Sequence, residues 1–377
     1  MTTSVRTAQR SIPNRHRFHA LCPYFAMFPE TFVETWIKRL TKPSDVILDP
    51  FCGRGTTPFQ ALLMGRGAIG SDINPVAYCV TRAKTCAPSK AALLRRLTVL
   101  ERDFDPDEVD LERRNLPEFF RFAYRAPTLR QILYLRNRLD YRRSDSDCML
   151  AALVLGSLHG ESARSPMYLS NQMPHTISTK PAYSVRFWKA RKLVAPARDT
   201  FALLRQMVAY RYESSVPVRR ATVMQLDMRE LPRESKRFPS AIRHVITSPP
   251  YFDVTSYEED QWLRLWFLGH EPNPTYDRIS RDDRHERADD YWGLIADMWR
   301  CLGLVLADRA EIVVRLGATR IEPRGLLEAL EGTSSLSGRR VRLATHEVSE
   351  ISRRQTDAFR PGSQGCKVEV DCHFKMA

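Results

Sequence analysis

Apolar and polar positions follow two textures along this chain. Short apolar runs that stop at glycine, proline or an acid read as buried strands, and apolar residues three and four apart read as helices. Val46-Ile47-Leu48-Asp49-Pro50-Phe51, residues 67–73, residues 221–227, Val245-Ile246-Thr247 and residues 311–316 are of the first kind. Phe32, Val33, Trp36, Ile37 and Leu40 recur at helical spacing behind Pro29, which suits a helix start. Further helices are predicted over 58–64, 93–100, 119–139, 149–158, 260–268 and 291–305. Residues 341–351 and 368–374 predict a terminal antiparallel strand pair. Strands that alternate with helices predict an α/β fold built on a parallel sheet.

Two strand ends carry chemistry. Val245-Ile246-Thr247 runs into Ser248-Pro249-Pro250-Tyr251. Proline lacks an N–H and drives the residue before it out of the helical region, so the strand ends in a stiff elbow. The elbow offers a hydroxyl, two carbonyls whose directions the proline rings help to fix, and an aromatic ring. Such groups suit an exocyclic amine of a nucleobase, whose lone pair is delocalised into the ring. Hydrogen bonds from the amine to Ser248 and to the Pro249 carbonyl would draw the nitrogen toward tetrahedral geometry and localise the lone pair. Tyr251 would stack on the base; in this reading the ring matters and the hydroxyl does not. The alternative is a proline-rich turn behind a core strand.

The second strand end is Asp49-Pro50-Phe51-Cys52-Gly53-Arg54-Gly55-Thr56-Thr57. Strand, glycine turn and helix form the nucleotide-binding unit of doubly wound sheets. Gly53 is expected to permit the tight turn, and Gly55 to let a ligand approach the backbone. Asp72 follows about 20 positions later, where an acid takes the ribose hydroxyls of an adenosine-containing ligand. Its other reading is a helix N-cap before Asn74-Pro75.

Taken together, the two motifs resemble those of the DNA amino-methyltransferase family, which moves methyl from S-adenosylmethionine to N4 of cytosine or N6 of adenine. The resemblance covers residues 18–84 and 221–377 for the most part. It implies a Rossmann-like class I methyltransferase fold: α/β, with a seven-stranded, mostly parallel sheet, interrupted between its second and third strands by a largely helical insertion. By the same resemblance Asp49, Pro50, Phe51, Gly53, Gly55, Thr56 and Thr57 line the cofactor and Asp72 holds its ribose. Phe28 and Pro29 lie in the stretch that covers the methionine end, and Asp227 approaches the adenine unless it only caps a turn. Ser248, Pro249, Pro250 and Tyr251 form the catalytic loop. Arg54 departs from the pattern, since many members carry a small residue there. Serine at the head of the loop is the variant usual among cytosine-N4 enzymes. The alternatives are an N6-adenine enzyme, an RNA guanine-N2 methyltransferase and a non-catalytic DNA-binding protein. C5 chemistry needs a cysteine nucleophile, which its family places after proline, and no Pro-Cys pair occurs here.

Charge adds a partner. The 377 residues carry a net charge of +14, which suits a polyanion. Residues 85–220 hold 24 Lys and Arg against 14 Asp and Glu, so ten of the fourteen net charges sit there. The chain thus reads as a cofactor-binding half (1–84), a helical insertion for target recognition (85–220) and a catalytic half (221–377). Arg186, Lys189, Arg191 and Lys192, interleaved with Phe187 and Trp188, are the candidate DNA contacts; the other reading is a solvated helical scaffold. Double-stranded DNA is the expected partner, and the resemblance admits a cognate restriction endonuclease. The basic stretch 1–17 reads as a tail, not a secretory signal; residues 270–290 read as a mobile loop beside the site, and Arg353, Arg354 and Gln355 as further DNA contacts. The eight cysteines form no C-x-x-C pair, so neither zinc nor disulfides are expected, and a cytoplasmic setting is. No run approaches 18 apolar residues, so no membrane span is expected.

Overall fold

The computed structural model describes residues 15–24, 28–238, 241–252, 257–275, 288–318, 321–350, 366 and 368–377. Its centre is one seven-stranded sheet: β1 (Val46–Asp49), β2 (Gly67–Asp72), β3 (Thr222–Gln225), β4 (Ile242–Thr247), β5 (Leu306–Gly317), β6 (Val341–Glu350) and β7 (Val368–Met376). Their order is β3-β2-β1-β4-β5-β7-β6. The first five are mutually parallel, and β7 runs antiparallel between β5 and β6. The Rossmann-like, mostly parallel sheet implied by the resemblance is therefore present. The order reverses between β1 and β4, which sets both chemical motifs at one topological switch point, where doubly wound sheets bind ligands.

Alternation along the strands sorts side chains onto two faces. Ile47, Ile246 and Val313 face helices α1 (Glu30–Leu40) and α2 (Thr56–Leu63). Val46, Leu48, Val245, Ile312 and Val314 face the opposite layer, formed by helices Ala288–Val305 and Pro323–Ser334. A strand covered on both sides must be apolar throughout, which is why β1 is buried at every position.

The insertion leaves the sheet through α3 (Pro75–Thr85) and returns at β3. Helix Asp145–Ser157 is apolar on all sides and lies at its centre. It starts earlier than the apolar run suggests, because the Ser144 side chain caps it at the Asp147 N–H. The helix predicted over 119–139 is two, Glu118–Ala123 and Ala126–Arg138. Pro127 fits only a first turn, so the chain must restart there.

One apolar core joins the insertion to Phe18, Leu21 and Tyr24, to α3 and to helix Trp262–Phe267 beyond the Ser-Pro-Pro-Tyr elbow. Arg264, fully buried, donates to the carbonyls of Leu155 (3.0 Å), His175 (2.7 Å) and Thr176 (3.2 Å). Trp262 Nε1 donates to the Thr179 carbonyl at 3.0 Å. The polar loop of the insertion is thus fastened to the segment that follows Tyr251.

Many arginines of the insertion are tied down. Asp110 alone pairs with Arg113, Arg114 and Arg130, and hydrogen bonds from these arginines, Arg113 foremost, hold its carboxyl far below the usual range. Arg96 forks onto Asp147 at 2.7 and 3.2 Å. No described helix is long and apolar enough to cross a membrane.

Candidate active site

The glycine turn after β1 is held from several sides. The Gly53 N–H donates to Asp72 Oδ2 (2.8 Å), and Thr81 Oγ1 of α3 donates to the Gly53 carbonyl (2.9 Å). The buried Lys84 ammonium donates to the Arg54 carbonyl, and burial, then Arg54, depress its pKa well below the ordinary lysine value. Arg54 is itself buried and donates to the His19 carbonyl at 3.1 Å. The residue that departs from the family pattern therefore ties the turn to the N-terminal segment.

Both glycines serve the turn, and they differ in what surrounds them. Both have positive φ, +49° at Gly53 and +75° at Gly55. A Cβ on Gly55 would lie 2.6 Å from Thr81 Oγ1, so α3 fills that side. A Cβ on Gly53 would meet nothing within 4 Å, so Gly53 is the open face of the turn.

Asp72 accepts from Gly53 through Oδ2 and from the Asn74 N–H through Oδ1 (2.9 Å). Asn74, not Asp72, caps α3, accepting from the Val76 N–H at 2.8 Å. Asp49 closes β1 fully buried. Its Oδ1 accepts from Thr247 Oγ1 at 2.7 Å and from the Phe51 N–H at 3.2 Å. Its Oδ2 and the Thr57 hydroxyl, also buried, make no hydrogen bond of good geometry among the described residues. Against the upward push of burial on the Asp49 pKa, Thr57 still lies close enough to help Thr247 and the Phe51 N–H hold it down. Burial pushes the Asp49 carboxyl up to about 7 and that of Asp72 up to about 6. The site thus offers a buried carboxylate with spare acceptor capacity and an open glycine on the same turn, which fits a ligand that brings its own donors.

Pro50, Phe51 and Thr56 lie in the same turn and first helical turn. Pro29 starts α1 as its N-cap, and Phe28 packs edge-on against Phe32 (5.3 Å between ring centres). Asp227 caps the 3-10 helix Met228–Arg237 and is forked by Arg229 at 2.9 and 2.6 Å. What the structure brings out for Asp227 is the capping role.

The catalytic-loop candidates meet this turn across the switch point. Ser248 Oγ donates to the Arg315 carbonyl at 3.1 Å. That spends the hydroxyl proton and leaves the oxygen as an acceptor. Pro249 is buried and Pro250 half-buried. The Tyr251 ring lies against Gly317, where a Cβ would come within 2.7 Å of it. Its hydroxyl donates to Glu369 Oε1 at 2.7 Å. Burial, then Glu369, hold the phenol well above its ordinary pKa, so it remains a donor. The hydroxyl is thus hydrogen-bonded as well as the ring packed.

Sequence reasoning missed Thr247, Arg315, Glu369 and Asp371. Arg315 is buried and forks onto Asp371 (2.6 and 2.7 Å), with Glu369 at 3.1 Å. Burial alone would weaken its hold on the proton, but Asp371 and Glu369 outweigh that and raise its pKa. The available signal was a charge inside the apolar run Ile312-Val313-Val314-Arg315-Leu316, since buried charges come paired.

Arg186, Lys189, Arg191 and Lys192 are exposed on helix Pro181–Ala190 and the turn after it. Lys189 pairs with Glu118, and Arg191 stacks on Phe187 (4.0 Å). From the same helix Trp188 packs on Phe119, and Phe119 on Trp262 (5.5 and 4.9 Å). The predicted tail (1–14), residues 276–287 of the predicted loop, and Arg353, Arg354 and Gln355 lie outside the described residues. Among the described residues, no group of three or more His, Cys, Asp and Glu could hold a metal ion.

Residues 5–81 match a family of N6/N4 type described as DNA methylase. The type II methyltransferase M.MjaII of Methanocaldococcus jannaschii is 39% identical over 66 residues, which are 18% of this chain and 12% of that protein. TrmN from Thermus thermophilus aligns with 96% of this chain and 53% of its own at 10% identity and a TM-score of 0.38. The rRNA methyltransferase aviRa from Streptomyces viridochromogenes aligns with 98% of this chain and 96% of its own at 13% identity and a TM-score of 0.34.

Proposed function

We propose that this chain is a site-specific DNA methyltransferase that uses S-adenosylmethionine to methylate the N4 amine of a cytosine flipped out of the duplex. The observation that carries the reading is the Thr247–Asp49 hydrogen bond, which joins the Ser-Pro-Pro-Tyr elbow to the glycine turn. S-adenosylmethionine bound at that turn supplies an electrophilic methyl group. Asp49 Oδ2 and the open Gly53 face would receive its amino-acid end, and Asp72 its ribose. A base inside a duplex cannot present its amine to the elbow, so the target must leave the stack. Ser248, its own proton committed to Arg315, accepts one amine N–H, and the Pro249 carbonyl accepts the other. Tyr251 holds the ring flat. The elbow works by positioning and by polarising one nitrogen, with no strong base required before attack.

The test is expression in a methylation-free host, followed by mass spectrometry of nucleosides and mapping of the modified sites. N4-methylcytosine at one short sequence is the expected product. N6-methyladenine or a methylated RNA guanine would replace the target while keeping the chemistry. No new methyl group in DNA or RNA would refute the reading.

Asp49 makes the cofactor step pH-dependent. A carboxyl raised to about 7 keeps its proton below that value, and a protonated acid attracts an ammonium less. S-adenosylmethionine affinity is therefore expected to rise with pH through about 7, by at most about tenfold per unit, and to fall again once the ligand's ammonium loses its proton at about pH 8. Calorimetry between about pH 6.5 and about pH 7.5 on the wild type and on Asp49→Asn checks this; the variant should lose most of the rise in that window, since Asp72 titrates lower, at about 6.

DNA binding should fall steeply with salt. Changing Arg186, Lys189, Arg191 and Lys192 together to Glu should flatten the log–log slope by up to about 3–4, at about 0.9 for each phosphate no longer neutralised. Cofactor affinity should stay unchanged. An unaltered slope would place the phosphate-binding surface elsewhere.

A further inference from the structure

We propose that Arg315, Glu369 and Asp371 form a positioning network that sets the catalytic elbow, an inference that rests on the function proposed above. The network is laid down by strand pairing. Arg315 stands opposite Asp371, and Gly317 opposite Glu369, in the antiparallel β5–β7 ladder. Positions two apart share a face, so Arg315, Gly317, Glu369 and Asp371 all point to the α1 side. Bare Gly317 leaves the space that the Tyr251 ring fills.

Glu369 and Arg315 then each hold something the reaction needs, and Asp371 holds Arg315. Glu369 divides its carboxylate, accepting the Tyr251 hydroxyl on Oε1 (2.7 Å) and lying 3.1 Å from Arg315 Nη1 through Oε2. The Arg315 carbonyl accepts the Ser248 hydroxyl at 3.1 Å, which fixes the direction of the serine lone pairs. The Arg315 guanidinium lies over the Phe32 ring at 3.9 Å, and Phe32 packs on Phe28 of the cofactor cover. One side chain therefore reaches the stacking ring on one flank and the cover on the other.

Stability alone is a weak reason for such a cluster. Two carboxylates and a guanidinium are costly to bury, and apolar residues of similar volume commonly do as well or better. Val313, two positions earlier on the same face, is apolar and fully buried. A charged fork with fixed geometry suits a role in orientation.

The experiment is steady-state methyl transfer by the full chain, with radiolabelled S-adenosylmethionine and the DNA of its mapped site. The variants are Tyr251→Phe, Glu369→Ala, Glu369→Gln and the double Tyr251→Phe/Glu369→Ala. Tyr251→Phe and Glu369→Ala should each lower kcat about tenfold, the scale of one hydrogen bond to a charged group. KM for DNA and the calorimetric Kd for S-adenosylmethionine should move less than about twofold, as for an interaction that acts on the chemical step. The double variant should lose no more than the worse single one, because both break the same bond. Glu369→Gln can still accept from the phenol and should recover most of the loss. A purely structural role would lower the melting temperature and leave kcat of the folded enzyme intact. Tyr251→Phe removes a single oxygen, so it keeps the test decisive should Glu369→Ala fold poorly. Single variants with wild-type kcat, losses that multiply, or a change confined to KM would overturn the network. If the wild type methylates another base or RNA, the same ratios are read on that acceptor. A wild type that methylates no nucleic acid would refute the proposed function itself, before any variant is compared.

Discussion

Arg315→Met is expected to cost on the order of 3–5 kcal/mol of folding stability, the range for removing one partner of a buried ion pair. Asp371 would be deprived of both of its short hydrogen bonds, at 2.6 and 2.7 Å, and Glu369 of its neighbour at 3.1 Å. Asp371 is buried, where water does not replace a missing partner, and Glu369 is half-buried, where water does so only in part. Methionine fills much of the volume, so the effect reports stranded charge more than a cavity. Urea denaturation should give a lower midpoint with little change in slope. The exposed pair Arg324–Glu328 is the control: Glu328→Ala should cost no more than about 1 kcal/mol, as solvated pairs do. Neutralising the stranded acids, in Arg315→Met with Asp371→Asn and Glu369→Gln, should recover part of the stability. A single variant as stable as the wild type would mean that water reaches Asp371, contrary to its burial.

The sheet was legible because its strands are buried on both faces. Runs such as Val46-Ile47-Leu48 and Val245-Ile246-Thr247 have no competing period, and each meets a proline two residues on, Pro50 or Pro249, which lacks the N–H that a central strand or helix needs. The Ser-Pro-Pro-Tyr elbow and the glycine turn were legible for the same local reason. What sequence could not supply is register. That Arg315 faces Asp371 and Gly317 faces Glu369 depends on the pairing of β5 with β7, which no local pattern encodes. The parts of Gly53 and Gly55 depend on where Thr81 of α3 lies, which is again a tertiary fact. Charge shows the same limit. The excess over 85–220 suggests a surface for a polyanion, yet Arg96, Arg113, Arg114 and Arg130 are spent on Asp147 and Asp110. Composition counts cations; only the fold separates those that hold helices together from those, such as Arg186, left facing solvent.

Ser248→Ala is expected to lower turnover roughly a hundredfold, about 2.7 kcal/mol of barrier. The argument begins with the direction of one proton. A serine hydroxyl has one O–H and two lone pairs. Here the proton goes to the Arg315 carbonyl at 3.1 Å, so the lone pairs are what the elbow presents. An amine N–H received there draws the nitrogen out of conjugation with its ring, and that interaction strengthens as the nitrogen becomes tetrahedral. A hydrogen bond that is stronger in the transition state than in the ground state affects kcat and leaves binding little changed. Alanine removes the acceptor while leaving Thr247 on Asp49 and the glycine turn in place, so affinities for cofactor and DNA should stay close to wild type. Single-turnover transfer at saturating DNA and S-adenosylmethionine reads the chemical step directly. Full activity of Ser248→Ala on cytosine would remove the serine from the mechanism and leave the Pro249 carbonyl as the sole acceptor at the elbow. A rise in KM with unchanged kcat would make Ser248 a binding residue, and the assignment of its lone pairs to the reacting amine would be wrong.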